Sequence, residues 1–387
     1  MKYNFDEPVN RKNTSSVKYD ALLQRFGNND LLPLWVADMD FRICPKISQR
    51  FKNIIEHGIF GYHIINNNYF TSVINWLKNR HNYSVEKEEI FFVTGVVPAV
   101  HHLIKAFTEK GDGILIQTPV YYPFLSMIKQ IDRKLIINKL YENDNIYSID
   151  FDDFEKKASE SKLFILCNPH NPVSRVWRKD EILKMSEICL KHDVLIISDE
   201  IHSDIVFNGN KHIPVATLSD EIRKKTITCS SASKTFNLAA LNTAYLIIHS
   251  KENRLKLKSY TRNNLVETPN IFGLEALSTA YNNCDDWLNE LLIYIFKNYQ
   301  FMTEYIRNEL PFINYSPLEG TYLVWLDFRA LNKTDDELKK HIIEKAGLAL
   351  NDGPIFGPGG SGFQRINIAC PLSTLEKALD MLKKSFE

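Results

Sequence analysis

Lys234 lies in a run of small and hydroxyl-bearing residues, CSSASKTFNLAAL, that follows a predicted β-strand. A lysine partly shielded from water loses its proton more easily, and its neutral amine can form a Schiff base with a carbonyl group. The hydroxyl groups of Ser231 and Ser233 are suited to bind a phosphate group beside it. The run is short, and an exposed lysine in a serine-rich turn is the ordinary alternative. A functional interpretation therefore depends on other elements of the chain.

Two strand ends upstream of Lys234 carry groups that fit the same chemistry. The apolar run VLIIS ends in Asp199, so a buried strand would deliver a carboxylate at its carboxyl end. In pyridoxal phosphate enzymes such a carboxylate keeps the pyridine nitrogen protonated, so that the ring withdraws electrons. The strand LFILC leads into NPHNP, where Asn171 is a rigid donor suited to the cofactor's phenolic oxygen. The order Asn, Asp, Lys at three strand ends predicts a pyridoxal phosphate site.

With these motifs the chain resembles the fold-type I pyridoxal phosphate family, which includes the class I and II aminotransferases. The resemblance covers nearly the whole chain. The segments that carry it are WVADMDF, FGYH, VTGVVPAV, TPVYYPF, EGTYLVWLDF and FQRINIACP. The opening WVADMDF together with EGTYLVW is most similar to the branch of cystathionine β-lyases and cysteine C-S lyases.

The resemblance implies roles for individual residues. Tyr121 is expected to stack on the face of the pyridine ring, with Tyr122 as the alternative. Tyr62 matches a tyrosine that reaches the phosphate from the partner subunit, which implies a homodimer with shared active sites. The residues implied to be catalytic are Lys234, Tyr121 and Asp199, and those implied to bind the substrate are Arg365, Ala37 and Asn171. The residues implied to bind the cofactor are Lys234, Asp199, Asn171, His202, Tyr121, Gly95, Val96, Val97, Ser231, Ser233 and Tyr62.

Local patterns support two of these assignments. Gly95, Val96 and Val97 lie between a predicted strand and a predicted helix, so their backbone N–H groups would form an anion site, although a plain turn is the alternative. Arg365 lies in the alternating run FQRINIA, which predicts a half-buried strand. Its planar guanidinium suits a substrate α-carboxylate, and an internal ion pair with an acidic residue is the alternative.

Departures from the aminotransferase pattern bear on the type of reaction. His202 stands where many aminotransferases have a tyrosine, and Asn242 stands where they usually have a phosphate-binding arginine. Both substitutions resemble the C-S lyase branch. The predicted reaction is therefore β-elimination from cystathionine, cystine or another S-substituted cysteine, giving a thiol, pyruvate and ammonia. The alternatives are a class I or II aminotransferase and a regulatory protein that keeps the cofactor and residual lyase activity, because fold does not decide between such functions.

Composition limits the partners and the location. Lysine plus arginine and aspartate plus glutamate number 47 each, so the net charge predicts no nucleic acid and no anionic membrane as a partner. The chain lacks an apolar run of signal-peptide or membrane-spanning length, and we expect a cytoplasmic protein. The six cysteines lie far apart in the chain, so we expect buried free thiols rather than disulfides, and no metal site.

From about residue 90 the chain alternates short apolar runs with amphipathic segments, a pattern that predicts an α/β fold with a doubly wound, mainly parallel sheet. Ligands of such sheets bind beyond the carboxyl ends of the strands, where the three motifs fall. The resemblance implies a large pyridoxal phosphate-binding domain over residues 46–285. It also implies a smaller α+β domain over residues 286–387, against which residues 1–45 pack.

Overall fold

The computed structural model describes residues 2–263 and 269–387. Its strands are β1 (Leu32–Pro33), β2 (Ile90–Val93), β3 (Gly113–Thr118), β4 (Lys134–Lys139), β5 (Tyr141–Asn143), β6 (Ile146–Ser148), β7 (Leu163–Cys167), β8 (Leu195–Asp199), β9 (Thr226–Ser230), β10 (Ala244–Ile248), β11 (Asn314–Tyr315), β12 (Leu323–Asp327), β13 (Leu348–Ala349), β14 (Asn351–Asp352) and β15 (Phe363–Asn367). Its α-helices are α1 (Val17–Asp20), α2 (Leu22–Phe26), α3 (Pro45–His57), α4 (Asn67–His81), α5 (Val96–Phe107), α6 (Tyr122–Gln130), α7 (Phe151–Ala158), α8 (Lys179–Lys191), α9 (Asp220–Lys225), α10 (Ala232–Thr235), α11 (Lys251–Asn263), α12 (Ile271–Asn283), α13 (Asp285–Glu309), α14 (Asp335–Lys340) and α15 (Leu372–Lys384).

The large sheet has the strand order β2-β10-β9-β8-β7-β3-β4. The strands β4, β3, β7, β8 and β9 run parallel, whereas β10 is antiparallel to both of its neighbours. Successive residues of β3 alternate between two apolar cores, with Ile114 and Ile116 in one and Leu115 in the other. Strands buried on both faces are typical of parallel sheets covered by helices. The predicted α/β fold with a mainly parallel sheet is confirmed.

The register of this sheet aligns the strand ends that carry the motifs. Asp199 pairs with Cys167 on one neighbouring strand and with Cys229 on the other. The loop after Cys167 leads to Asn171, and the turn after Cys229 leads to Lys234. Because the three strands are parallel, their carboxyl ends meet at one edge, which places the Asn, Asp and Lys motifs together.

A second, antiparallel sheet has the order β11-β12-β15-β14 and positions Arg365. Arg365 on β15 pairs with Trp325 on β12 and with Asn351 on β14. Every residue of β12 and β15 is buried, so this arginine lies in the interior although its sequence pattern predicted only half burial.

The N-terminal segment is tied to the second sheet. The backbone N–H of Asn367 donates to the carbonyl of Leu34 at 2.9 Å, and the backbone N–H of Asp40 donates to the carbonyl of Ala369 at 2.9 Å. In addition, β1 pairs in parallel with β13. These contacts are compatible with the predicted packing of the N-terminal and C-terminal parts, while the three-part division of the chain stays a prediction.

The helix α13 is 25 residues long. The helix α14 gives way to a π-helical turn over His341–Lys345. No helix in the described ranges is long and apolar enough to cross a membrane.

The structure corrects the prediction for two of the cysteines. The sulfur atoms of Cys44 and Cys284 are joined as a disulfide, with Cα atoms 6.3 Å apart. The prediction of free thiols is wrong for this pair because 240 residues separate the two cysteines along the chain. Cys44 precedes α3 and Cys284 follows α12, and only the packing of these two helices brings them together. The buried free thiols are Cys167, Cys189, Cys229 and Cys370.

Candidate active site

A cavity of about 210 Å³ lies at the carboxyl edge of the large sheet. It is lined by residues from the start of α5, from the loops after β3, β7, β8 and β9, and from the N-terminal segment. The predicted site residues that line it are Ala37, Gly95, Val96, Val97, Tyr121, Asn171, Asp199, His202, Ser231, Ser233 and Lys234. One cavity thus collects side chains that lie far apart in the sequence.

Lys234 lies in α10, which begins just beyond the end of β9. The Ser231 side chain caps this short helix by accepting a hydrogen bond from the backbone N–H of Ser233 at 3.0 Å. Lys234 Nζ donates to the carbonyl of Ala37 at 2.6 Å. Burial is the main cause that lowers the pKa of Lys234 to about 8. At that pKa about one amine in ten is neutral at pH 7, which suits a nucleophile or a general base.

Asp199 ends β8 with a carboxyl group that is almost fully buried. Burial raises the pKa of this carboxyl to about 7. It accepts a hydrogen bond from the backbone N–H of Ile201 at 3.2 Å, and in the described part of the chain no basic side chain forms an ion pair with it. A buried carboxylate of this kind is stabilised by a cationic hydrogen-bond donor, and a protonated pyridine nitrogen is one.

A second group of donors suits a phosphate. Gly95 precedes the twelve-residue helix α5, and the first turn of an α-helix has backbone N–H groups without intrahelical partners. Ser233 and Asn242 line the cavity as well. The hydroxyl group of Ser231 already donates to the carbonyl of Thr243 at 2.6 Å, so this serine also shapes the turn. This donor set fits a phosphate bound by backbone N–H and hydroxyl groups.

Two aromatic rings of the site differ in their surroundings. Tyr121 lines the cavity, whereas Tyr122 does not and is 37% exposed, so the structure favours Tyr121 as the stacking residue. His202 is buried, and its Nδ1 atom has no hydrogen-bond partner in the structure. Burial lowers the pKa of His202 well below its ordinary value, so the ring is neutral. An unpartnered buried nitrogen beside a cavity is suited to a hydrogen bond with a ligand.

Arg365 is buried against polar groups that carry no charge. Its guanidinium donates to Asn171 Oδ1 at 2.9 Å, to the carbonyl of Trp35 at 2.8 Å and to Asn351 Oδ1 at 2.5 Å. Its Nε atom has no partner, and no acidic side chain in residues 2–263 or 269–387 forms an ion pair with it. Burial lowers the pKa of Arg365 to about 10. The internal ion pair considered as an alternative is therefore not found in the described residues, and Arg365 adjoins the cavity through its hydrogen bond to Asn171, which lines it.

Tyr62, like Arg365, is a predicted site residue that does not line the cavity. Its side chain is fully exposed in the single chain. The hydroxyl of Tyr322 donates to the carbonyl of Ala37 at 2.9 Å, a role that the motif EGTYLVWLDF did not predict although it contains this tyrosine. No motif gave a signal for Asn351, because only the pairing of β14 with β15 places it beside Arg365.

Comparison with known proteins identifies the family. The family described as aminotransferase class I and II matches residues 30–382. The chain belongs to the class I and II aminotransferase family. Cystathionine β-lyase PatB of Bacillus subtilis is 42% identical to this chain over 382 residues, which cover 98% of this chain and 99% of the relative.

Two solved structures extend the comparison within the class I and II aminotransferase fold. A pyridoxal phosphate-bound protein of Clostridium difficile 630, provisionally designated an aminotransferase, has a TM-score of 0.98 and 46% identity, with 100% of both chains covered. The pyridoxal phosphate-bound C-S lyase of Staphylococcus hominis has a TM-score of 0.91 and 30% identity, with 100% of this chain and 98% of that chain covered. The resemblance to the lyase branch and the fold expected from the sequence are thereby confirmed.

Proposed function

We propose that this chain is a pyridoxal phosphate-dependent carbon–sulfur β-lyase that acts on cystathionine, cystine or another S-substituted cysteine. For a thioether substrate, the reaction consumes one water molecule and gives a thiol, pyruvate and ammonia. Support comes from the 42% identity with a cystathionine β-lyase over nearly the whole chain. Further support comes from the pyridoxal phosphate bound in the related structures and from a C-S lyase among them.

One observation carries the proposal, namely two buried ionisable groups of the same site that form no salt bridge. The Asp199 carboxyl forms no ion pair with a basic side chain, and the Arg365 guanidinium forms none with an acidic side chain, in the described residues. Burying unpaired charges is costly, so each position favours a ligand that supplies the missing charge. A protonated pyridine ring supplies the cation for Asp199, and an amino-acid α-carboxylate supplies the anion for Arg365.

The residues of the site divide the work of binding and proton transfer. Asp199, Asn171, His202 and Tyr121 would hold the ring of the cofactor, while the donors at Gly95–Val97 and Ser233 would hold its phosphate. When bound, pyridoxal phosphate supplies an electron-withdrawing ring that stabilises negative charge on the substrate Cα. Lys234, with its lowered pKa, removes the proton from Cα as the general base.

The neighbouring residues orient the substrate and the base. Arg365, already hydrogen-bonded to Asn171, positions the α-carboxylate through charge-assisted hydrogen bonds. Loss of the Cα proton then allows the bond between Cβ and sulfur to break, and the thiolate leaves with the bonding electron pair. An aminotransferase reaction would begin with loss of the same Cα proton, so the base on Lys234 suits either outcome. The leaving group of the substrate therefore decides which reaction is faster.

Product analysis distinguishes the lyase from the aminotransferase. With cystathionine or cystine, we expect the purified protein to release pyruvate and ammonia in equal amounts without any added keto acid. After the enzyme has been removed by ultrafiltration, a lactate dehydrogenase assay measures the pyruvate and a glutamate dehydrogenase assay, which itself contains 2-oxoglutarate, measures the ammonia. The control is alanine, which has the same α-amino acid groups but no leaving group on Cβ.

The aminotransferase alternative gives the opposite pattern. It would show turnover of alanine or an aromatic amino acid only in the presence of 2-oxoglutarate, with the amino group recovered in glutamate. Failure to obtain pyruvate and ammonia from several S-substituted cysteines, together with that keto-acid requirement, would show that the lyase proposal is wrong.

We further propose a homodimer in which Tyr62 completes the site of the partner subunit. The segment around Tyr62 exposes large apolar side chains in the single chain, with Ile59 68%, Phe60 58% and Ile64 83% exposed. Several large apolar side chains exposed in one segment are typical of a protein interface. The proposal accounts for a predicted cofactor ligand that lies outside the cavity of its own chain.

Mixed dimers test the position of Tyr62. Tyr62→Ala and Lys234→Ala are each expected to be inactive, but a dimer with one subunit of each kind has one complete site if Tyr62 crosses the interface. After random exchange at equal amounts, half of the dimers are mixed, so we expect activity to return to about a quarter of the wild-type value. Exchange is verified by native mass spectrometry. Verified exchange without recovery would place Tyr62 in the site of its own subunit.

A cytoplasmic location completes the proposal. The four buried free thiols favour this location because cysteines stay reduced in the cytoplasm, whereas the disulfide between Cys44 and Cys284 is unusual there. Cell fractionation tests this location. We expect the chain in the cytoplasmic fraction, and its detection in the membrane or secreted fraction would contradict the proposal.

A further inference from the structure

The carbonyl of Ala37 is the hydrogen-bond acceptor of the Lys234 amine. It receives the Nζ–H of Lys234 at 2.6 Å and the hydroxyl of Tyr322 at 2.9 Å. Ala37 belongs to an N-terminal segment without regular secondary structure, so no helix or sheet fixes the direction of this carbonyl. Its position must therefore depend on side chains that hold the segment.

Asn367 holds the segment on both sides of Ala37. Its Nδ2 atom donates to the carbonyl of Val36 and to the carbonyl of Asp38, each at 2.6 Å. Its Oδ1 atom accepts from the backbone N–H of Ala369 at 2.8 Å, and the whole residue is 1% exposed. Since one amide nitrogen binds the carbonyls before and after Ala37, the two flanking peptide groups are fixed, and the Ala37 carbonyl is left to face Lys234.

Asn237 holds the same segment from the side of Lys234. Its Oδ1 atom accepts from the backbone N–H of Met39 at 3.0 Å, and its Nδ2 atom donates to the carbonyls of Met39 at 3.0 Å and Phe41 at 2.9 Å. Asn237 lies three residues after Lys234 in the same turn. The base and the carbonyl that binds it are thus connected through one side chain.

We propose that Asn367 and Asn237 are positioning residues that fix the Ala37 carbonyl as the acceptor for the Lys234 amine. The functional consequence rests on the proposed role of Lys234 as the general base. A fixed acceptor restricts the rotation of the lysine side chain, so the amine stays beside the reacting carbon after it has taken the proton. Neither asparagine touches the cavity, so both act through the backbone of the N-terminal segment.

The groups that face Lys234 set the direction of the expected effect. Burial lowers its pKa most, Asp38 and Asp199 raise it, and Arg365 lowers it. The buried ring of His202 is neutral, and the Tyr322 hydroxyl donates to the same carbonyl. A carbonyl acceptor stabilises the ammonium form, so displacement of the Ala37 carbonyl should lower the pKa of Lys234 further.

The test measures the titration of Lys234 in the full-length chain after pyridoxal phosphate has been removed with hydroxylamine. Trace acetylation with acetic anhydride is carried out from pH 6 to 11, and mass spectrometry reads the peptide that contains Lys234. We expect the titration midpoint to fall by about one pH unit in Asn367→Ala and by a smaller amount in Asn237→Ala. In the reconstituted enzyme, kcat should fall while KM changes little.

Asn138→Ala is the matched control. Asn138 is also buried and makes three side-chain hydrogen bonds, accepting from Gln117 at 3.3 Å and donating to the Asp150 carbonyl at 3.1 Å and the Asp153 carboxylate at 2.8 Å. It lies on β4 at the edge of the large sheet, away from the cavity. Its removal should lower stability and leave the Lys234 midpoint unchanged.

The outcomes separate this inference from the proposed function. A folded Asn367→Ala protein whose Lys234 titration midpoint equals that of the wild type would overturn the positioning proposal. A midpoint shift of equal size in Asn138→Ala and Asn367→Ala would overturn it as well. If Asn367→Ala does not fold, the variant of the less buried Asn237 provides the test. An unchanged Lys234 titration midpoint in Asn237→Ala then contradicts the proposal. The titration uses neither substrate nor cofactor, so failure of the lyase assay leaves its result unaffected.

Discussion

Replacement of Lys234 by alanine should abolish turnover and covalent attachment of the cofactor. The substitution removes the amine whose pKa is lowered to about 8 and with it the proposed general base. Loss of a positioned base alone lowers a rate about 10²- to 10⁴-fold, and loss of the attachment point adds to this. Borohydride reduction followed by peptide mapping should place the pyridoxyl mass on the peptide that contains Lys234 in the wild-type protein. The variant should carry no such mass.

Lys224→Ala is a suitable control for the loss of a lysine. Lys224 is exposed near the end of α9, away from the cavity, so activity and labelling should be unchanged. A pyridoxyl group on another lysine in the wild-type protein, or full activity in Lys234→Ala, would contradict the assignment of Lys234.

Arg365→Ala should lower kcat/KM by about 30- to 1000-fold, which corresponds to about 2–4 kcal/mol, mainly through a higher KM. The guanidinium is buried without an acidic partner in the described part of the chain, so a substrate carboxylate would lose a charge-assisted partner in the variant. Arg365→Lys should restore little activity, because an ammonium group cannot reproduce the planar pair of donors. Steady-state kinetics with cystathionine over a range of concentrations measures both constants.

Arg133→Ala controls for the loss of an arginine that binds neutral groups. The Arg133 guanidinium donates to the Thr108 hydroxyl at 2.9 Å and to the carbonyls of Ile131 and Thr108 at 2.7 Å each, and it lies outside the cavity. Its removal should affect stability without changing KM. Unchanged kinetics in a folded Arg365→Ala protein would assign Arg365 to structure.

Much of the cavity could be predicted because its chemistry lies at strand ends. Lys234, Asp199 and Asn171 each follow an apolar run that is recognisable as a buried strand. Parallel strands bring their carboxyl ends to one edge of a sheet, so the order of motifs already implied that these side chains meet. Family resemblance added Tyr121 and Arg365, for which local pattern alone left alternatives.

Contacts between distant backbone segments could not be predicted in the same way. Asn367 lies two residues after Arg365 on β15, so strand periodicity places both side chains on one face, and this signal was available. No pattern, however, indicates which carbonyls an asparagine side chain will bind. The disulfide between Cys44 and Cys284 was missed for the same reason, since it depends on the packing of two helices.

By itself, the sequence determined the α/β fold, the family and the chemical types of the groups at the cavity, because periodicity and strand-end motifs are local properties of the chain. Only the tertiary structure decided that Asp199 and Arg365 are buried without a salt-bridge partner in the described residues. It also decided that the Ala37 carbonyl faces Lys234. Burial and pKa depend on what surrounds a group in three dimensions, and those neighbours come from segments hundreds of residues apart.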